Sequence, residues 1–175
     1  SVETVEEAKK AMKHKNLATI QIIFNMFRLK PMEEVFDLAK KKDVGVIVRV
    51  PLASGLLSGK MTKDTVFSPS DHRYFNRDGQ AFDKGETFSG VEYDLGLKAV
   101  DALKALFPNH NLAQIALRYI LMFDAVSTVI PGASRPEQII SNIESTKLPP
   151  LTKKEMAEVQ KIYDTYIKDS VHHLW

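Results

Sequence analysis

The chain has no cysteine among its 175 residues. This excludes disulfides, cysteine-ligated zinc, iron–sulfur clusters and thiol nucleophiles. Neither sign of charge dominates, because 24 Lys and Arg against 22 Asp and Glu give a net charge of +2, and a basic surface for nucleic acid is not expected. No apolar run approaches the ~18 residues of a membrane span, and the acidic first residues lack the order of a signal peptide. We therefore expect a cytoplasmic protein.

Three short apolar segments have the pattern of strands that are buried on both faces. They cover 17–24, 44–50 and 125–130, and they are rich in β-branched residues. Pro51 and Pro131 stop the second and the third. Such segments, separated by helical stretches, predict parallel strands joined by right-handed crossovers.

Helix starts are indicated by capping boxes and by prolines in the first turn. Thr4, Ser134 and Thr152 each precede a glutamate by three residues, and Pro31 precedes a pair of glutamates. The expected helices span 5–13, 31–42, 91–106, 111–123, 134–144 and a terminal segment from 152. Residues 60–90 contain scattered aromatic residues among Ser, Pro, Asp, Asn and Gly, which predicts a long functional loop that packs on the protein.

Three strands alone leave two unpaired edges. The sequence therefore predicts part of a larger sheet or of an eight-stranded barrel, which needs ~250 residues. Ligands of parallel α/β proteins gather at the carboxyl ends of the strands. The loop after the second expected strand is small and rich in glycine, and the loop after the third leads into a helix N-terminus; both suit phosphate. Together they suggest a ligand with two phosphate regions, such as a dinucleotide.

Plainer interpretations stay open for these residues. In these interpretations Gly55 and Gly59 serve only a tight turn, and Ser134 serves only as a helix cap. The segment from Gly55 to Lys60 departs from the phosphate loop of nucleotide triphosphatases, because three residues instead of four separate the glycines and Met61 replaces the hydroxyl residue. No Gly-x-Gly-x-x-Gly motif supports a Rossmann site.

Four segments carry a family resemblance by their order and spacing: PLASGLLSGK at 51–60, DHR at 71–73, LAQIALR at 112–118 and IPGASRPEQ at 130–138. The chain resembles the C-terminal half of an aldo-keto reductase, of the bacterial branch that is similar to potassium-channel β subunits. The resemblance implies an α/β fold, a partial (β/α)8 TIM barrel that holds strands six to eight with their helices and the C-terminal helix. It also implies an NAD(P)H-dependent oxidoreductase that reduces aldehydes or ketones to alcohols, with NADP(H) as cofactor.

The resemblance assigns cofactor contacts residue by residue. Ser1 and Gln21 match positions at the nicotinamide carboxamide, and Arg73 matches an arginine that clamps the cofactor. Arg135 would pair with a 2′-phosphate, which favours NADP(H). The remaining matches form the loop over the pyrophosphate (Pro51, Leu52, Ala53, Ser54, Gly55 and Lys60) and the adenosine and 2′-phosphate end (Gly132, Ser134, Gln138 and Asn142).

Two positions depart from the family pattern. Ser141 replaces a frequent glutamate next to Asn142, and Arg49 replaces an aromatic residue that stacks on the nicotinamide. A guanidinium can stack on a flat ring, and only the oxidised nicotinamide is positively charged. We therefore expect Arg49 to favour the reduced cofactor, and the ratio of NADPH to NADP⁺ affinities in Arg49→Tyr tests this. The alternative is an Arg49 that forms salt bridges in the barrel interior.

The resemblance places all four catalytic residues of the family, an aspartate, a tyrosine, a lysine and a histidine, in the half that precedes this segment. The chain therefore has no assigned catalytic residue, and alone we expect it to be inactive. No metal site is expected, since His172 and His173 fit a surface or a pocket lining better. Tyr163, Tyr166 and Trp175 would line the substrate pocket.

The expected partners are a small carbonyl substrate and the missing N-terminal half-barrel, with self-association through open sheet edges as a further possibility. Neither nucleic acid nor a membrane is expected. The alternative function is a non-catalytic nucleotide-binding or channel-associated module on the same fold.

Overall fold

The computed structural model describes residues 1–175 and contains one three-stranded parallel sheet. Its strands are β1 (Thr19–Ile23), β2 (Gly45–Arg49) and β3 (Val126–Val129), in the order β1-β2-β3. Ile23 lies opposite Arg49, and Val48 lies opposite Val129. The three expected strands are therefore confirmed as neighbours that point the same way. Each is one or two residues shorter at either end than its apolar run.

The chain contains nine α-helices. They are α1 (Val5–Ala11), α2 (Lys30–Glu34), α3 (Phe36–Lys41), α4 (His72–Phe75), α5 (Tyr93–Leu106), α6 (Leu112–Ile120), α7 (Pro136–Glu144), α8 (Lys153–Tyr166) and α9 (Lys168–Val171). The capping boxes at Thr4 and Thr152 are confirmed, with both reciprocal hydrogen bonds present. In each box, the threonine hydroxyl and the glutamate carboxylate satisfy backbone N–H groups that have no partner within the helix.

Two expected helices need correction. The helix expected over 31–42 is two short helices that meet at Val35, a β-branched residue with φ −108°. The helix expected from Ser134 is capped one residue later, at Arg135. The reason is that the Gln138 carboxamide, and not the Glu137 carboxylate, reaches back to the N–H groups of Ser134 and Arg135.

An aromatic cluster fixes α3 and α6 against the end of β1. The Phe24 ring centroid lies 4.8 Å from that of Phe36 and 5.1 Å from that of Phe123, both in edge-to-face geometry. Tyr119 of α6 packs against Phe123 at 5.3 Å. Such pairs add about 0.5–1.5 kcal/mol each to the stabilisation from burial, so the cluster holds the carboxyl end of β1 in place.

Residues 60–90, called the strap below, are folded rather than irregular. They contain α4 and two single 3₁₀ turns, Lys84–Glu86 and Phe88–Gly90. Phe67 and Phe88 are buried and lie 6.0 Å and 5.2 Å from the ring of Tyr93 in α5, so the strap packs on the protein. The aromatic residues Tyr74, Phe75 and Phe82 are exposed.

The surface formed by β3 and α7 has no covering layer. Helix α7 buries no residue, and Ile139, Ile140 and Ile143 of this helix are each more than half exposed. The β3 side chains of Ser127 and Thr128 are also exposed. The edge of the sheet is therefore open at β3. None of the helices combines the length and the apolar character that crossing a bilayer requires.

Candidate functional site

A cleft of about 960 Å³ opens at the carboxyl ends of β2 and β3. Its walls come from the loop after β2 (residues 50–59), the strap, the start of α6 and the start of α7. Lys60, Arg73 and Arg135 bring positive charge to the walls, and Glu86 and Glu137 bring negative charge. The remaining polar lining consists of hydroxyl and amide side chains, together with His72. This donor set suits a ligand with several phosphate and hydroxyl groups.

The cleft brings together ten of the fifteen residues that the sequence singled out for cofactor contact. These are Pro51, Leu52, Ser54, Gly55, Lys60, Arg73, Gly132, Arg135, Gln138 and Asn142. They come from three regions of the chain that lie up to 91 positions apart (142 − 51). Residues from distant parts of the sequence therefore line one concave surface.

Five of the predicted residues lie outside the cleft lining. Ser1 is exposed beside β1, where Val2 N–H donates to the carbonyl of the half-buried Gln21 at 2.9 Å. Ala53, within the loop after β2, is fully buried. Ser134 is exposed at the start of α7. Arg49 lies behind the cleft in an ion cluster described below.

The loop after β2 has an unusual backbone. Val50, Ala53, Ser54 and Gly55 all have positive φ, at 51°, 47°, 55° and 93°. Glycine adopts this conformation freely, but each other residue costs of order 1–3 kcal/mol and keeps it only when its surroundings impose it. The glycine-rich sequence therefore does more than permit one tight turn, because the strain extends to three non-glycine residues.

Ser54 joins the loop after β2 to the strap. Its hydroxyl donates to the carbonyl of Glu86 at 2.7 Å and accepts from the N–H of Phe88 at 3.1 Å. Its own carbonyl accepts from Nη1 of Arg73 at 3.4 Å. Three contacts from one residue hold the strap against the cleft.

Arg73 is held in place by Asp71 and by an aromatic ring. Its Nη2 lies 2.6 Å from Oδ2 of Asp71, and its guanidinium carbon lies 4.9 Å from the centre of the Phe67 ring. These hydrogen bonds from Arg73 hold the pKa of Asp71 at about 2, below its usual 3.8. The Asp71–Arg73 unit thus keeps its charges at neutral pH and presents Arg73 to the cleft.

This unit predicts an acid-dependent loss of stability. Because the pKa of folded Asp71 is depressed, its contribution is present above about pH 4 and is lost as the pH falls toward 2. We expect Asp71→Asn to reduce the free energy of unfolding by about 1 kcal/mol near neutral pH, a modest value since both side chains are partly exposed. Urea unfolding of both proteins at several pH values measures this, and a difference that persists at pH 2 would contradict it.

The start of α7 already uses several of the donors expected to bind phosphate. Oε1 of Gln138 accepts from the N–H of Ser134 at 2.7 Å, from the N–H of Arg135 at 3.2 Å and from the Ser134 hydroxyl at 3.2 Å. A ligand phosphate at this point would compete with the Gln138 carboxamide. The Arg135 side chain, which lines the cleft and is exposed, has no salt-bridge partner.

Arg49 forms salt bridges with two carboxylates, which is the alternative interpretation given for this residue above. Its Nη2 lies 2.5 Å from Oε1 of Glu3, and its Nη1 pairs with Glu86. The Arg49 side chain is 9% exposed. Burial raises the pKa of Glu3 above its usual value, and the nearby Arg49 opposes this effect. The expected preference for reduced cofactor stays a prediction.

A second buried arginine lies beside this cluster. Arg28 is 1% exposed, donates to the carbonyl of Glu3 and lies 4.0 Å beneath the ring of Trp175. Burial lowers its pKa to about 10, which still leaves it charged at neutral pH. Tyr163, also buried, bonds Nδ1 of His172 at 2.9 Å. Neither Tyr163, Tyr166 nor Trp175 lines the cleft.

Nine further residues line the cleft to which the sequence assigned no cofactor contact: Val50, Ser58, Met61, His72, Glu86, Asn111, Ala113, Glu137 and Ser141. Most of them lie inside a quoted motif or next to an assigned residue, so the motifs indicated the right regions but not each lining residue. Glu86 and Asn111 are different, because only the folding of the strap and the position of α6 bring them to the cleft.

Comparison with known proteins decides the family. The model of the Aldo/keto reductase family matches residues 1–164. The chain belongs to the aldo/keto reductase family. The chain is 27% identical over 152 residues to the uncharacterised oxidoreductase YqkF of Bacillus subtilis (strain 168), and it is 32% identical over 131 residues to a probable voltage-gated potassium channel subunit beta of Arabidopsis thaliana. These alignments cover 87% and 73% of this chain, but only 45% and 38% of the relatives.

A solved structure supports the same assignment. The holo form of an aldo-keto reductase from Bacillus halodurans matches 93% of this chain and 49% of its own, with a TM-score of 0.67 and 26% identity. The predicted α/β fold, part of a (β/α)8 barrel, is confirmed. The chain thus spans about half the length, or less, of the relatives that it matches.

Proposed function

We propose that residues 1–175 form the cofactor-binding half of an NADPH-dependent reductase that converts aldehydes or ketones to alcohols. The observation that supports this most strongly is the shared cleft, in which ten residues chosen from sequence line one surface at the carboxyl ends of β2 and β3. Family membership supports the reaction class.

The residues of the cleft fit a dinucleotide. A Cβ atom built on Gly132 would have no atom within 4 Å, so the backbone there faces open space that a ligand can approach closely. The exposed guanidinium of Arg135 would pair with a phosphate monoester, and Lys60 and Arg73 would pair with a pyrophosphate. The cofactor, when bound, supplies a hydride to the carbonyl carbon of the substrate.

The role of this chain in that reaction is to hold and orient. The loop after β2 and the strap would enclose the pyrophosphate, since Ser54 joins the two by three hydrogen bonds. Ser1 and Gln21 would contact the carboxamide, since the N–H of Val2, next to Ser1, donates to the Gln21 carbonyl, and the start of α7 would hold the adenosine end. The proton for the alkoxide would come from the half of the barrel outside this segment, and so we propose that residues 1–175 alone are inactive.

The proposal predicts a specific loss in the Arg135→Ala variant of the full protein. Removal of this unpaired guanidinium is expected to weaken NADPH binding about tenfold and to leave NADH binding within twofold, because only NADPH carries the 2′-phosphate. Quenching of protein fluorescence on titration measures both affinities. Equal losses for the two cofactors would contradict the 2′-phosphate role, and a wild-type protein that binds neither would contradict the proposed function.

The competing function is a nucleotide-binding or channel-associated module that catalyses nothing. The similarity to a probable voltage-gated potassium channel subunit beta supports this second candidate function. Both functions predict NADPH binding, so turnover separates them. Oxidation of NADPH by the full protein with a set of simple aldehydes and ketones supports the reductase, and binding without any turnover supports the module.

The open surface of β3 and α7 bears on the partners of this segment. We propose that the N-terminal half of the barrel covers it, because Ile139, Ile140 and Ile143 form an apolar stripe next to an unpaired strand. Without that half, self-association through the same edge is expected. We also propose a cytoplasmic location for the protein, as expected from the sequence.

A further inference from the structure

Asn25 is a buried polar residue with no role in the function proposed so far. It lies two residues after the end of β1 and is completely buried. A buried amide is costly unless its hydrogen bonds are satisfied. Those of Asn25 are satisfied by backbone and side-chain groups from three separate parts of the chain.

The Asn25 side chain bridges two walls of the site. Its Nδ2 donates to the carbonyl of Val50 at 2.9 Å and to the hydroxyl of Ser89 at 2.7 Å. Its Oδ1 accepts from the N–H of Phe27 at 2.8 Å. Both amide hydrogens and the carbonyl are therefore engaged. One side chain connects the end of β1, the start of the loop after β2 and the strap.

Both groups that accept hydrogen bonds from the Asn25 amide belong to residues with a left-handed backbone. Val50 has φ 51° and Ser89 has φ 57°. For a β-branched residue such as Val50 this conformation is a genuine outlier. Such residues keep it only when the surrounding structure imposes it, and they concentrate at binding sites.

Each of these two residues positions part of the cleft. Val50 lines it directly. Ser89 follows Phe88, whose N–H donates to the Ser54 hydroxyl, and Ser54 also lines the cleft. Displacement of either backbone would therefore move the wall that faces the ligand.

We propose that Asn25 is a positioning residue that holds Val50 and Ser89 in their left-handed conformations and so fixes the shape of the cofactor cleft before the ligand arrives. This inference rests on the proposed function only where it concerns the cofactor. Its structural part, that the Asn25 amide maintains the two strained backbones, can be tested without any ligand.

The ligand-free test is hydrogen exchange in the full protein. In Asn25→Ala, amides in peptides 50–59 and 84–91 are expected to exchange at least tenfold faster than in wild type, whereas β2 and α8 exchange as before. Asn109→Ala, which changes an exposed asparagine between α5 and α6, is the matched control and should change neither peptide. Unchanged exchange in both peptides of Asn25→Ala would overturn the proposal.

The substitution Ser89→Gly separates a positioning role of Asn25 from simple packing. Glycine adopts positive φ without steric cost, so it does not depend on Asn25 to hold it there. Adding Ser89→Gly to Asn25→Ala should return exchange in 84–91 to within about threefold of wild type, with 50–59 still fast. If the double variant exchanges as fast as Asn25→Ala in both peptides, Asn25 acts through general packing and the proposal fails.

Cofactor binding gives the second readout. Asn25→Ala is expected to raise the Kd and KM for NADPH about tenfold and to change kcat less than twofold, with partial recovery on adding Ser89→Gly. If Asn25→Ala does not fold, Asn25→Asp, which keeps the acceptor for Phe27 N–H, replaces it with the same expected exchange pattern. A wild-type protein that does not bind NADPH refutes the proposed function, while the exchange results still decide the role of Asn25.

Discussion

The Arg49→Met variant is expected to lose about 2–3 kcal/mol of unfolding free energy at pH 7. Methionine fills similar space but leaves Glu3 and Glu86, the two carboxylates that face the guanidinium, without their partner. Breaking a buried ion pair on one side typically costs about 3–5 kcal/mol. The value is lower here because the two glutamates are about one-third exposed. Urea unfolding followed by circular dichroism measures the loss.

The pH dependence of that loss distinguishes charge from packing. The pKa of folded Glu3 is raised by burial, so Glu3 favours the folded state at low pH and loses this contribution as the pH rises through its folded pKa. Without Arg49 that pKa rises further. We therefore expect the loss in Arg49→Met to be smaller at pH 5 than at pH 7. Arg49→Lys is the control that keeps the charge, and an Arg49→Met loss equal at both pH values would contradict the electrostatic explanation.

The sheet could be predicted because its signals are local. Each strand is a short β-branched run that ends at or near a proline or an aromatic residue, and the threonine capping boxes mark two helix starts within four residues of sequence. The parallel order then follows from the alternation of strands and helices. The start of α7 was predicted one residue too early. Gln138 lies one residue beyond Glu137 and satisfies two N–H groups that Glu137 does not reach.

The rest of the site depends on contacts between distant residues, and no local pattern reveals these. Asn25 and Ser89 are 64 positions apart, and Arg49 and Glu86 are 37 positions apart. The left-handed conformation of Val50 runs against the preference of a β-branched residue, so propensity alone predicts the wrong backbone there. The motif around Gly55 indicated where the site lies. The groups that shape the site could not be predicted, because they come together only when the strap folds against the rest of the chain.

The Gly85→Ala variant is expected to be destabilised by about 3 kcal/mol or more. A Cβ atom at this position would overlap Nη1 of Arg28 and would lie 2.8 Å from Oδ1 of Asp83 and 3.2 Å from the Trp175 ring. Arg28 cannot move aside easily, because it is 1% exposed and lies beneath that ring. Overpacking of a filled interior typically costs about 1–3 kcal/mol, and displacement of a buried charge adds to it.

The matched control for this prediction is Gly132→Ala. No atom lies within 4 Å of a Cβ built there, so the free energy of unfolding should change by less than about 0.5 kcal/mol. The same methyl group would project into the cleft, so NADPH binding should weaken while stability is kept. Urea unfolding and the fluorescence of Trp175, the only tryptophan of residues 1–175, measure the effect of Gly85→Ala. NADPH titration measures the effect of Gly132→Ala. If Gly85→Ala unfolds like wild type, Arg28 is not confined as its burial implies, and the cluster of Arg28, Glu3 and Arg49 must be able to rearrange.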